Sequence, residues 1–179
     1  MTDLADDFRQ AMRRVASTVH VVTIRVGGTP MGLTATAVSS LAMAPPSLLV
    51  CINQRSAIHR EMDEVGCFCV NALHGSQADV ARAFGDAAMR DVRFQTGRWI
   101  EEGDAPPRLD GAAMAVRCRI EDRHAFGTHS IVIGRAEEVW LRDGAEPLVY
   151  LDGRYLEAPA FDAADSGTTR MDQAASSVR

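Results

Sequence analysis

Hydrophobic residues follow two spacings along this chain, and each spacing predicts a different kind of element. Near the N-terminus, Leu4, Phe8 and Met12 recur at helical spacing, which predicts an amphipathic helix over residues 3–16. Across residues 114–121, apolar side chains alternate with charged ones, which predicts a half-exposed strand. Strand-like segments outnumber helical ones along the chain, so the pattern favours a β protein.

Other segments predict strands because they are rich in β-branched residues or continuously apolar. They cover residues 19–26, 47–53, 67–73, 130–140, 147–151 and 154–156. The 47–53 segment is nearly all apolar, which suits a strand buried on both faces. Asp152-Gly153, between the last two segments, predicts a tight hairpin.

Polar residues mark the starts of two more helices. Ser56 predicts the N-cap of a short helix. Ser76 with Asp79 resembles a capping box, opening a helix that Gly85 would end. Residues 86–111 contain Pro106-Pro107 and several glycines, which predicts a long excursion over the surface.

The order of these elements predicts a mainly β fold with peripheral helices, in which antiparallel strands form a Greek-key-like barrel. Residues 1–157 form the predicted domain. Residues 158–179 are rich in Ala, Ser, Asp and Thr, which predicts a disordered C-terminal tail. A Gly-x-Gly-x-x-Gly motif is missing from the sequence, so a dinucleotide would not bind here on a Rossmann fold.

Composition narrows the classes of function. The 179 residues carry a formal net charge of −5, which argues against a nucleic-acid partner. The sequence lacks an apolar run long enough to span a bilayer, and its N-terminus is acidic, so we expect a cytoplasmic protein with no membrane partner. All 19 basic residues are arginine, which excludes lysine Schiff-base and P-loop lysine chemistry.

The cysteines and histidines do not predict a metal site. Cys67 and Cys69 lie two apart in an apolar run, so they would share one face of a strand and hardly bridge. The five histidines are scattered and do not complete a ligand spacing. We therefore expect buried, reduced thiols and no bound metal.

One stretch, residues 32–40, has the composition expected of a wall that lines a ligand-binding site. Thr34, Thr36, Ser39 and Ser40 carry hydroxyls, and alanines stand between them. Small side chains let a flat ligand approach the backbone, while N–H groups and hydroxyls serve its polar edge. The alternative is an ordinary strand rich in Thr and Ser.

Three other positions are candidates for chemistry. Arg55-Ser56 starts a predicted helix and suits a phosphate, although a plain N-cap beside a solvated arginine would look the same. His129 lies at a strand junction, where it could contact a carboxamide or be a satisfied polar residue. Arg154 and Tyr155 could form a cationic and aromatic rim, or could simply be surface residues.

Taken together, these blocks resemble the flavin reductase-like family. The resemblance is carried by residues 32–53, 55–59 and 69–73, and by Arg93-Phe94, residues 127–129 and residues 152–155, in the family's order. It covers about residues 8–157 in separate blocks.

The resemblance implies an FMN-binding split β-barrel, usually a homodimer, that reduces FMN or FAD with NADH or NADPH. Such reductases commonly supply reduced flavin to a partner monooxygenase by diffusion. The alternative is a flavoprotein with tightly bound flavin that transfers electrons or only binds, without turnover of free flavin. The residues implied for the flavin are Thr34, Ala35, Thr36, Ala37, Ser39, Ser40, Asn53, Arg55, Ser56 and His59. His129, with Arg154 and Tyr155 nearby, would lie on the nicotinamide side.

Overall fold

The computed structural model describes residues 3–144 and 146–157. The predicted tail over residues 158–179 lies outside the described residues. The helices are α1 (Leu4–Arg13), α2 (Ala57–Glu61) and α3 (Ala78–Gly85), with 3-10 turns at Gly75–Gln77, Ala87–Met89 and Arg93–Gln95. The strands are β1 (Ser17–Thr18), β2 (His20–Val26), β3 (Thr29–Ala35), β4 (Val38–Met43), β5 (Pro46–Asn53), β6 (Cys67–Ala72), β7 (Trp99–Ile100), β8 (Arg108–Leu109), β9 (Met114–Phe126), β10 (His129–Leu141), β11 (Leu148–Leu151) and β12 (Arg154–Glu157).

Seven strands form one antiparallel sheet in the order β3-β2-β6-β9-β10-β5-β4. The edge strands β3 and β4 follow each other in the chain, so the sheet curls until its two edges approach each other. The edges do not pair as neighbours in this order, which leaves a split in the barrel. The mainly β, antiparallel fold that the pattern predicts is confirmed.

The barrel encloses the first of two hydrophobic clusters. Its interior contains fully buried residues such as Val22, Val50, Phe68 and Val132, one from each of four strands. Strand β5 alternates between buried and more exposed positions. The prediction that this segment is buried on both faces is therefore wrong, because its other face points out of the barrel.

The second cluster lies between the sheet and α3. Phe84, Phe94 and Trp99 form its aromatic centre, with ring centroids 4.9 to 5.0 Å apart. Leu109 is also buried in this cluster. Residues 86–111 are therefore more than a surface excursion, because their aromatic and aliphatic side chains close this core.

Local signals explain where several elements begin and turn. Asp3 caps α1 by accepting from the backbone of Ala5, and the hairpin between β11 and β12 turns at Asp152-Gly153, as predicted. The predicted capping box at Ser76 is wrong. His74 is the cap there, with Gln77 as its reciprocal partner, and both precede α3.

Candidate functional site

The split between the barrel edges contains a groove of about 360 Å³, which we call the split groove. Its lining comes from the β3–β4 connection, from the end of β5, and from the ends of α2, α3 and β10. The lining residues are Leu33, Thr34, Ala35, Thr36, Ala37, Cys51, Ile52, Asn53, Ser56, Phe84, Gly85 and His129. This groove joins parts of the chain that are far apart in sequence.

Backbone geometry makes one wall of the split groove polar. Strand β3 has a single sheet neighbour, β2, so many of its N–H and C=O groups lack ladder partners. The chain breaks at Thr36–Ala37, where the Ala37 carbonyl accepts from Cys51 on β5. The predicted wall over residues 34–40 is therefore not one strand. It consists of the end of β3 and the start of β4, joined by a corner that is hydrogen-bonded to β5.

The structure brings part of the predicted wall to the split groove and leaves part outside. Thr34, Ala35, Thr36 and Ala37 line it. Ser39 and Ser40 lie on the exposed edge strand β4 and are not among its lining residues, so their contact with a flavin stays a prediction. Their position follows from the corner at Thr36–Ala37, which turns the chain away from the groove.

Hydroxyl groups at the groove are mostly committed to the protein. The Thr34 hydroxyl donates to the Ala81 carbonyl of α3 (2.8 Å), which fixes α3 against β3. The Ser56 hydroxyl donates to the Asn53 carbonyl (2.7 Å) and accepts from the backbone of His59 (3.3 Å), as an N-cap does. A ligand would therefore rely on backbone groups and arginines more than on these hydroxyls.

His59, which we predict on the phosphate side, contacts β9 and β10 in the structure. Its Nε2 lies 2.9 Å from the Ser130 hydroxyl and 3.1 Å from the Arg123 guanidinium. Partial burial, followed by the Arg123 charge, lowers the pKa of His59. This side chain ties α2 to β10 and is not among the lining residues.

His129 lies at the mouth of the split groove as the first residue of β10. Its ring Nδ1 lies 2.9 Å from the Thr128 hydroxyl, which leaves Nε2 directed elsewhere. Gln54 holds the same corner, because its side chain donates to the His129 carbonyl and its backbone donates to the Thr128 carbonyl (both 3.0 Å). The corner that carries the histidine is thus anchored to the end of β5.

Arg154 and Tyr155 are not brought to the split groove in this chain. Tyr155 packs against Tyr150 (5.4 Å between ring centroids) and under the guanidinium of Arg82 (5.5 Å). Strand β12 belongs to a separate three-stranded sheet with β1 and β11. Neither residue is among those that line the split groove, and their place beside His129 stays a prediction.

A second groove of about 280 Å³ adjoins the first, and we call it the arginine groove. The two grooves share Leu33, Ser56, Phe84 and Gly85. Arg55, Arg90 and Arg93 also line the arginine groove. Sequence reasoning missed the roles of Phe84, Arg90 and Arg93, because no local spacing connects them to β3. The available signals were the Arg93-Phe94 pair, which contributes to the family resemblance, and the density of arginines in residues 82–98.

Arg93 is a buried cation that holds the arginine groove together. It is only 8% exposed and donates to the carbonyls of Gly32 (2.5 Å) and Asp86 (3.1 Å). Its guanidinium lies 5.6 Å from the Phe84 ring centroid. Burial, followed by the charge of Arg90, lowers the pKa of Arg93. Arg93 thereby fixes the loop after α3 against the edge of β3.

Other reactive groups are distributed without forming a second centre. All four cysteines are free, and burial raises the pKa of both Cys69 and Cys118 to about 12. Within the described residues, no group of three or more His, Cys, Asp or Glu side chains could hold a metal ion. Among these residues, no helix is both long and apolar enough to cross a membrane.

The chain is similar to known proteins over most of its length. The model of the flavin reductase like domain family matches residues 12–159. The FMN reductase (NADH) RutF of Methylorubrum populi is 39% identical over 155 residues, which is 87% of this chain and 77% of that protein.

Solved structures show the same relationship. The NADH:FAD oxidoreductase SgcE6 of Streptomyces globisporus C-1027, solved with NAD and FAD fragments, superposes with a TM-score of 0.81 at 25% identity. It covers 93% of this chain and 98% of its own. BorF, the flavin reductase component of a bacterial two-component tryptophan halogenase, superposes with a TM-score of 0.79 at 28% identity, covering 87% and 98%. The family match, the identity of the relatives and the shared fold show that this chain belongs to the flavin reductase like domain family.

Proposed function

We propose that this protein reduces FMN or FAD with NADH or NADPH and releases the reduced flavin to a partner monooxygenase. The single observation that carries the proposal is the split groove, which combines a small-residue wall with unpaired backbone groups of β3. The FMN reductase (NADH) relatives support the reaction and favour NADH and FMN. BorF, named as the reductase component of a two-component system, supports the release to a partner.

The residues present fit a flavin. The exposed Thr36–Ala37 corner lets a flat ring lie close to the backbone, and Arg55 lies beside Ser56, where the two grooves meet. Helix α2 has only five residues, so its dipole is small and the arginines must supply most of the charge that holds a phosphate. Asn53 orients this turn, because its side-chain oxygen accepts from the Arg55 backbone (2.9 Å).

The chemistry is divided between the ligands and the protein. A flavin ring, when bound, supplies the acceptor for the hydride that the nicotinamide donates. The chain positions both partners and excludes water from between them, which is how a site lowers the barrier without an acid–base pair. His129 orients the carboxamide through Nε2, while Thr128 holds the opposite side of the ring.

The assay for this function measures oxidation of NADH and NADPH with FMN, FAD or no flavin added to the dialysed protein. We expect oxidation to depend on added flavin. Oxidation without added flavin by a protein that stays yellow after dialysis would favour a tightly bound prosthetic group. Absence of oxidation under all conditions would favour a binding module and would reject the reductase function.

We further propose that the protein is a homodimer acting in the cytoplasm. Helix α1 contains no buried residue, and Leu4 and Phe8 are 80% and 63% exposed on its apolar side. Phe126, at the end of β9, is 84% exposed. Apolar surface of this kind is typical of an interface between subunits. The four free thiols agree with a reducing compartment. Sedimentation of the wild type and of Phe8→Glu tests the dimer, because the charged residue should shift the mass toward a monomer.

A further inference from the structure

The arginine groove contains more positive charge than the protein itself neutralises. Arg55 and Arg90 are exposed, and neither forms an ion pair within the described residues. Several other arginines of the chain form ion pairs, as Arg25 does with Glu101. Two free guanidinium groups therefore face one cavity, beside the buried cation of Arg93.

Asp86 also lines the arginine groove, and apart from Ser56 the other side chains of its wall are apolar. Pro30, Met31, Ile58 and Phe94 line it. A ligand that suits this groove therefore combines strong negative charge with a flat body of low polarity. Inorganic phosphate alone would leave the apolar wall uncovered.

The two exposed arginines differ in their position relative to the split groove. Arg55 follows the end of β5 and precedes Ser56, which lines both grooves, so it lies where the phosphate of either flavin would end. Arg90 lines the arginine groove alone. A ligand must extend past the first phosphate to reach Arg90.

We propose that the arginine groove binds the adenosine diphosphate half of FAD, and that Arg90 is the residue that distinguishes FAD from FMN. The inference rests on the proposed function, because it takes the isoalloxazine ring to lie in the split groove. Arg90 pairs with the second phosphate, which only FAD has, through charge-assisted hydrogen bonds. The adenine covers the apolar wall near Met31 and Phe94. Arg93 acts as a positioning residue, since its Nη1 and Nη2 groups donate to the carbonyls of Gly32 and Asp86.

The test compares the wild type with Arg90→Gln by calorimetric titration of FMN, FAD and ADP, together with the KM of each flavin and of NADH. Arg60→Gln is the matched control, because Arg60 is exposed on α2 and does not line either groove. In Arg90→Gln we expect the Kd of FAD to rise about tenfold or more, since a hydrogen bond to a charged group is lost. The Kd of FMN and the KM of NADH should stay within about twofold on the same scale, and ADP binding should be lost.

Three results would overturn the proposal. An equal rise in Kd for both flavins would place Arg90 at the shared phosphate. An unchanged Kd for FAD would show that Arg90 does not contact the bound FAD. A rise in the KM of NADH without a change for FAD would assign the groove to the nicotinamide dinucleotide. Failure of the proposed function is separable, because it would abolish NADH oxidation with both flavins in the wild type, while the ADP titration would still report on the arginine groove.

Discussion

Replacing Gly32 with alanine perturbs the wall shared by the two grooves. A Cβ atom at this position would lie 2.7 Å from Phe84 Cε1 and 3.1 Å from the Val22 carbonyl oxygen. The Phe84 ring cannot yield easily, because Phe94 and Trp99 pack against it at 4.9 and 5.0 Å between centroids. The variant must therefore displace either the ring or the edge strand β3.

The expected cost of Gly32→Ala is that of overpacking a core, about 1–3 kcal/mol in the free energy of unfolding. For a domain of this size, that corresponds to a fall of roughly 2–12 °C in Tm. Because Phe84 lines both grooves, we also expect flavin to bind about fivefold more weakly, which corresponds to a loss of about 1 kcal/mol. Thermal unfolding and flavin titration measure the two effects.

Gly134→Ala is the matched control. A Cβ at Gly134 would overlap the Phe68 ring and lie 2.7 Å from Cys118 Cβ, inside the barrel and away from both grooves. This variant should lose stability while its folded form binds flavin as the wild type does. If Gly32→Ala lost stability and kept full flavin affinity, Phe84 would not form a wall of the flavin site.

Three other substitutions test the remaining parts of the account. Burial lowers the pKa of His20 from 6.5 to about 4, so the unfolded chain takes up the proton first and stability is lost as pH falls through that interval. Chemical denaturation should show that the free energy of unfolding falls by about 3 kcal/mol across this pH interval because of His20. A His20→Gln variant should lose this pH dependence, and an unchanged slope in the variant would refute the role of His20. Asn71 is fully buried, donates to the Val21 carbonyl (3.1 Å) and accepts from the Leu109 backbone (2.8 Å). Asn71→Ala should cost about 2–4 kcal/mol in urea denaturation, and a cost near zero would show that water replaces these bonds. His129→Ala should raise the KM of NADH and leave the Kd of flavin nearly unchanged, whereas a collapse of flavin binding would give His129 a different role.

Local signals in the sequence were sufficient for most elements of the fold. The Asp152-Gly153 turn places both residues at positive φ, 46° and 81°, and thus requires residue types that tolerate this conformation. Strand β9 follows the alternation of its apolar residues. Where the prediction failed, at Ser76, another local cap replaced the expected one, because the His74 side chain accepts from the Ser76 backbone and Gln77 is its reciprocal partner.

The residues of the candidate site were harder to predict from local sequence patterns than the elements of the fold were. Thr34 and Ala37 follow from the density of small and hydroxylated residues, and Arg55 follows from its place before a helix cap. Phe84, Arg90 and Arg93 reach the site only because α3 and the loop after it pack against β3. Ser39 lies outside the groove because the chain turns at Ala37, whose carbonyl accepts a hydrogen bond from the Cys51 backbone. Sequence spacing does not show this contact with another strand.

Backbone amide hydrogen exchange, measured with and without FMN, tests the central claim most directly. If flavin lies in the split between the barrel edges, exchange should slow at Thr36 and Ala37, whose corner lines the groove. The β11–β12 hairpin, which lies in a separate sheet, should exchange at the same rate in both samples. Slower exchange at Arg154 and Tyr155, with none at the corner, would contradict the account and place the flavin elsewhere.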